Sequence, residues 1–161
     1  MEQEFTELLH QNQGIVHKIC NLYFFDRIEK EDYQQEIIIQ LWKAFPSFNH
    51  QSKFSTWMYR VCLNASLDIL RKEKSQLKYI KVDTNDLNGI ADARDEVNSN
   101  QEKLYRAINR LSEIDKAIIT LYLDEFSYKE IAEILGISET NTGVKINRIK
   151  SDIIKKIDNG N

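Results

Sequence analysis

Apolar residues recur at helical spacing along most of the chain. Phe5, Leu8 and Leu9, then Ile15, Val16, Ile19, Cys20 and Tyr23, form one stripe. They predict a helix over residues 2–25, open to interruption near Asn12 to Gly14. The charged run Asp26 to Lys30 reads as a break. Ile37, Ile38, Leu41, Trp42 and Phe45 then predict a helix over 31–45 with those five inward, ended by Pro46. Residues 46–53 read as a loop. Phe54, Trp57, Met58, Val61, Cys62, Ala65 and Ile69 give the apolar face of a long helix over 54–73. Periodicity fades across 76–100, which is rich in Asp and Asn and reads as a mobile linker. It resumes over 101–111 with Leu104, Tyr105, Ile108 and Leu111 inward. A further helix from Ser112 turns Ile114, Ala117, Ile118, Leu121 and Tyr122 inward and ends at Asp124 and Glu125. The expected fold is all-α: two small helical domains, 1–75 and 101–161, joined by a flexible linker.

The run Ser127 to Ile157 is the most specific. Ser127 with Glu130 three residues later is a capping box, so a helix starts there. Ile131, Ala132, Ile134 and Leu135 are its apolar face. Gly136 fits the left-handed position that closes the last turn. Ile137 points inward, and Ser138 caps a second helix. In that helix Thr142, Ile146, Ile149 and Ile153 share the inner face. A short glycine turn between two helices is the pattern of a helix-turn-helix, whose second helix can enter a DNA major groove. The opposite face carries Thr140, Val144, Asn147, Arg148 and Ser151. Arginine suits guanine, asparagine suits adenine, and an apolar side chain suits a thymine methyl.

Composition adds limits. Of 161 residues 42% are apolar, enough for a core, and one proline with five glycines fits an all-helical chain. No apolar run approaches the ~18 residues of a membrane span. The N-terminal run MEQEFTELLHQNQ is acidic and unlike a secretion signal, so a cytoplasmic protein without membrane insertion is expected. Cys20 and Cys62 form no metal-binding or redox pattern and read as buried hydrophobes. No acid–base, metal or nucleotide-cradle arrangement points to an enzyme, and no cofactor is expected.

The net charge of −3 is unevenly spread. Residues 53–81 hold seven bases and two acids, residues 82–102 six acids and one base, and residues 138–157 five bases and two acids. Two basic stretches separated by an acidic one suit a selective DNA binder recruited by another protein, and equally a protein with ordinary surface patches. Within the first, Arg60, Asn64, Asp68 and Arg71 share a face, followed by Lys72. That face suits bases and phosphates as well as a salt-linked solvated surface. Asp32, Gln35, Glu36 and Gln40 make an acidic surface on the preceding helix.

Together these runs resemble an RNA polymerase sigma factor of the sigma-70 family, extracytoplasmic-function (ECF) class. The resemblance rests on the Asp-x-x-Gln-Glu start at Asp32, on Leu41-Trp42, and on Phe54-Ser55-Thr56-Trp57 opening a helix that ends in Asn64, Asp68 and Leu70-Arg71. In the second half it rests on Leu111-Ser112 and the helix-turn-helix from Tyr128 to Lys150. It implies that Asp32, Gln35, Glu36 and Gln40, supported by Trp42, bind the β′ clamp of core polymerase, with the β flap as a further contact. It implies that the loop Asn49 to Lys53 and the face Arg60, Asn64, Asp68, Arg71 and Lys72 hold the melted minus-ten strand. It implies that Thr140, Val144, Asn147 and Arg148 read the minus-thirty-five duplex, with Lys145 and Lys150 on phosphates. An anti-sigma partner is a family expectation that no residue here supports by itself. Where such proteins usually carry a basic residue, this chain has Gly143. The rival readings are a conventional helix-turn-helix regulator that binds duplex DNA without polymerase, and a protein-only helical adaptor.

Overall fold

The first stripe forms α1, Glu2–Phe24, without a break. A computed structural model describes residues 1–80 and 100–159. Gly14 lies within α1 with nothing within 4 Å of where a side chain would begin. The interruption to which the sequence left this helix open is absent. A mid-helix glycine costs roughly 0.5–1 kcal/mol, and burial of Val16, Ile19, Cys20 and Phe24, at roughly 1.5–3 kcal/mol per large apolar side chain, outweighs it.

Helix α2, Lys30–Ala44, runs into a 3-10 turn, Phe45–Ser47, that holds Pro46 near its start. Helix α3, Phe54–Ile80, continues beyond the expected end at 73. Residues 76–80 of the expected linker therefore belong to α3, and residues 81–99 lie outside the described residues. Helices α1, α2 and α3 pack on one another. Ile19, Phe24, Ile37, Leu41, Met58 and Leu63 are fully buried between them, as are Cys20 and Cys62. One end is closed by aromatic rings: Phe45, Phe48, Phe54 and Trp57 contact each other, Phe45 and Phe48 stacked and the other pairs edge-on or tilted, and Phe5 meets both Phe45 and Trp42 at 5.1 Å between ring centres.

Burial on α2 is narrower than its pattern suggests. Ile37, Leu41 and Phe45 are buried, but Ile38 and Trp42 remain exposed, at 36% and 39%. A stripe one residue wide is enough to seat α2 on α1 and α3.

The second group comprises α4 (Asn100–Asn109), α5 (Glu113–Leu123), α6 (Tyr128–Leu135) and α7 (Glu139–Asp158). Its core is Ile118, Leu121, Ile131, Ile146 and Ile149. Tyr105 and Ile114, expected inward, are exposed, and Ile119 is buried in addition. Among the described residues there is no strand, and no helix is long and apolar enough to cross a membrane. The two groups meet where α3 packs against α6 and where the α5–α6 turn reaches α1 and α3.

Candidate nucleic-acid and partner interfaces

The helix-turn-helix forms as its punctuation requires. Ser127 Oγ accepts the Glu130 backbone N–H, and the Glu130 carboxylate accepts the Ser127 N–H, completing the capping box. Those bonds hold the Glu130 carboxyl below the usual carboxylate range. Gly136 has φ 68°, where a Cβ would be strained. Ser138 Oγ then accepts the Asn141 N–H and starts α7. Thr142, Ile146, Ile149 and Ile153 all turn inward. The buried Thr142 hydroxyl donates to the Ser138 carbonyl at 3.0 Å.

The outer face of α7 divides in two. Thr140, Val144, Asn147 and Ser151 are exposed, Val144 by 63%. Two of its cations are engaged. Arg148 donates to both carboxylate oxygens of Asp115 on α5 at 2.9 Å. Lys150 Nζ sits 4.3 Å from the centre of the Tyr122 ring, a cation–π contact. Lys145 is half-buried. Gly143 faces Tyr128, whose ring lies 3.4 Å from the position a Cβ would take. Tyr122 and Tyr128 are near neighbours, 6.4 Å apart, so an aromatic pair underlies the middle of the recognition helix. Asp115 went unnoticed in sequence, where Tyr122 read only as an inward residue and Tyr128 only as the start of the helix-turn-helix; a conspicuous arginine on an outer face was the signal to look for an acid.

In the first group, α3 carries Asn64, Asp68, Arg71 and Lys72 on exposed positions. Asp68 accepts from Arg71 at 2.7 Å. Arg60 is half-buried, and its Nε is buried with no partner among the described residues. Asn49 and Lys53 are exposed at the ends of the loop before α3. Asn49 Oδ1 accepts the Gln51 N–H, and His50 takes a left-handed φ of 58° while its ring leans on Phe48, 4.4 Å away. The loop is thus shaped by local bonds rather than lying free.

On α2, Asp32 and Gln35 are exposed, and Gln40 donates to Glu36 at 2.7 Å. The partly exposed Ile38, Ile39 and Trp42 continue from this acidic set. The surface is acidic with an apolar margin, which suits a protein partner better than a polyanion.

Both halves match known families in the order these faces occur. Residues 8–76 match Sigma-70 region 2, and residues 101–153 match Sigma-70, region 4. The chain is 30% identical over 159 residues to the ECF RNA polymerase sigma-E factor of Escherichia coli strain K12, covering 88% of this chain and 81% of that protein. This chain belongs to the ECF sigma factors of the sigma-70 family. It is also 26% identical to the ECF RNA polymerase sigma factor SigW of Bacillus subtilis, over 97% of this chain and 90% of the relative. The fold of this sigma factor resembles the solved sigma factor RpoE in complex with the anti-sigma factor NepR from Bartonella quintana, with TM-score 0.77, 18% identity, and coverage of 97% and 98% of the two chains. It also resembles CnrH in complex with the cytosolic domain of CnrY, with TM-score 0.68, 16% identity, and coverage of 100% and 92%.

Proposed function

We propose that this ECF sigma factor binds core RNA polymerase through the α2 surface and delivers two promoter contacts, one from each half of the chain. The reading rests on one observation: the region 2 and region 4 matches lie in order on a chain whose α2, α3 and α7 each turn a different polar face outward. Asp32, Gln35, Glu36 and Gln40 engage the polymerase clamp, with Trp42 at their apolar margin, and the β flap holds the second half. Asn49, Lys53, Arg60, Asn64, Asp68, Arg71 and Lys72 hold the melted minus-ten strand. A short polar loop beside a basic helix suits extruded bases and a flexible backbone. Thr140, Val144 and Asn147 face base edges, Arg148 enters from its Asp115 support, and Lys145 and Lys150 meet phosphates. On this reading residues 1–75 and 101–161 act as separate contact modules joined through 76–100.

The protein works in the cytoplasm as a specificity subunit, with no bond-making chemistry of its own. The cations assigned to DNA in either half, Lys53, Arg60, Arg71 and Lys72 in the first and Lys145, Arg148 and Lys150 in the second, fall short of the roughly six to ten phosphate contacts of a strong independent binder. Attachment to polymerase supplies the missing affinity by raising local concentration. The structural likeness to the sigma factor RpoE solved with the anti-sigma factor NepR supports restraint of this chain by a protein of that kind. Run-off transcription with core polymerase over a diverse promoter library tests the function. Promoter-dependent transcripts are expected only when the chain is added. Their absence, or tight duplex binding by the chain alone, would replace this reading with that of a conventional regulator.

A further inference from the structure

The middle of α7 carries three cations, Lys145, Arg148 and Lys150, and the fold neutralises one of them. Arg148 meets Asp115 of α5 through a single terminal nitrogen: Nη2 donates to Oδ1 and to Oδ2, each at 2.9 Å. Among the described residues Nη1 and Nε make no hydrogen bond. A guanidinium has five N–H donors, so the head is held from behind while donors remain open for a base edge. The support is itself well anchored. Asp115 lies in the first turn of α5, where its backbone N–H donates to the Ser112 cap hydroxyl at 3.2 Å. Its side chain is only 16% exposed, and α5 packs directly on α7. The lysines are treated differently. Neither is paired with a carboxylate among the described residues, and the Tyr122 ring under Lys150 bears no net charge.

An uncompensated cation adds to the pull that any duplex exerts, whatever its sequence. A compensated one adds little net charge but keeps its donors, so its contribution depends on whether a matching acceptor lies opposite. We infer that Asp115 is a positioning residue for base readout: by holding Nη2 and cancelling the charge of Arg148, it makes that arginine selective and leaves general attraction to Lys145 and Lys150. The inference rests on the minus-thirty-five role proposed for α7. It has a signature that damage to the fold lacks. Loss of Asp115 lowers discrimination between bases and raises affinity for unrelated DNA at the same time.

The test uses the full chain assembled with core polymerase. Promoters recovered from the run-off screen are randomised across the minus-thirty-five duplex, and the bound fraction is sequenced. Affinity for a scrambled duplex is followed by anisotropy. Arg148→Ala marks the position that the arginine reads, by abolishing base preference there. Asp115→Asn is expected to weaken preference about five- to tenfold at that same position and at no other. It is also expected to bind the scrambled duplex about two- to fivefold tighter. Added to Arg148→Ala, it should change base preference no further. Glu133→Gln, an equal loss of charge at an exposed position of α6, should leave every base preference unchanged. Circular dichroism confirms that each variant is folded. Preference retained by Asp115→Asn, lost evenly across the element, or reduced further in the double variant overturns the positioning role. Weaker binding of Asp115→Asn to the scrambled duplex overturns it as well. A different result marks failure of the underlying reading: if Arg148→Ala shifts no base preference while promoter-dependent transcripts persist, the base assignment of Arg148 falls, and the role of Asp115 with it.

Discussion

The outward faces of α3 and α7 carry similar side chains and hold them differently. On α7 the arginine is fixed: Asp115, whose side chain is only 16% exposed, takes Arg148 through both oxygens. Lys150 rests on an aromatic ring. On α3 the corresponding pair, Arg71 with Asp68, is 77% and 58% exposed, and Lys72 beside it is exposed as well. A duplex presents its acceptors at fixed positions, so a side chain set in advance loses less freedom on binding. A single strand has no fixed positions, and loose cations that follow it are the better match.

The largest expected effect separates the scaffolds beneath those faces. Ile146→Ala opens a cavity in the second core and should cost roughly 2–5 kcal/mol. Both tryptophans, Trp42 and Trp57, lie in the first half. Denaturation followed by tryptophan fluorescence should therefore change little, while circular dichroism acquires an early transition. A common shift of both signals would show that the halves unfold as one unit.

Next comes the contrast between the cations themselves. Arg148→Ala should reduce promoter-dependent transcription about fivefold to a hundredfold, the range for a lost base contact, with polymerase binding in a pull-down unchanged. Arg148→Lys should not rescue it, because an ammonium cannot reproduce the two-pronged bond to Asp115. Arg71→Ala should act more mildly and across all promoters, lowering the salt dependence of strand binding by about one phosphate contact. Equal losses for the two arginines would erase the distinction.

Smaller effects test local structure. Ser127→Ala removes the capping box and should cost about 1 kcal/mol, confined to the second half. Gly14→Ala and Gly143→Ala should each stabilise by roughly 0.5–1 kcal/mol, read as a higher denaturant midpoint. Space is open at Gly14, and at Gly143 the new methyl would rest against Tyr128. A lower midpoint for Gly143→Ala would mean that the ring cannot accept it, and that the glycine is needed for the close crossing of α6 and α7.

What could be read from the sequence was mostly local. Ser127, Gly136 and Ser138 act within one turn of themselves, and the inner face of α7 follows from spacing alone; all of these appear in the structure. Spacing does not give the width of a contact. Ile38, Trp42, Tyr105 and Ile114 fit an apolar pattern yet stay exposed, because the partner helix covers a narrower strip. Pairings across the chain leave no periodic trace at all. Asp115 and Arg148 are 33 residues apart and Tyr59 and Asp124 are 65 apart, and only the fold brings them together. The α3 helix outlasts its apolar stripe, whose last member is Ile69, and continues to Ile80.

The two thiols packed between α1 and α3 have a practical consequence. Burial pushes Cys20 up to about 11 and Cys62 higher still, so at neutral pH neither presents the nucleophilic thiolate. A thiol-directed alkylating reagent then finds no reactive thiol for as long as the three-helix core stays closed. Each modified thiol records an opening of that core, so the pace of labelling becomes a clock for its breathing, with no residue of the chain changed.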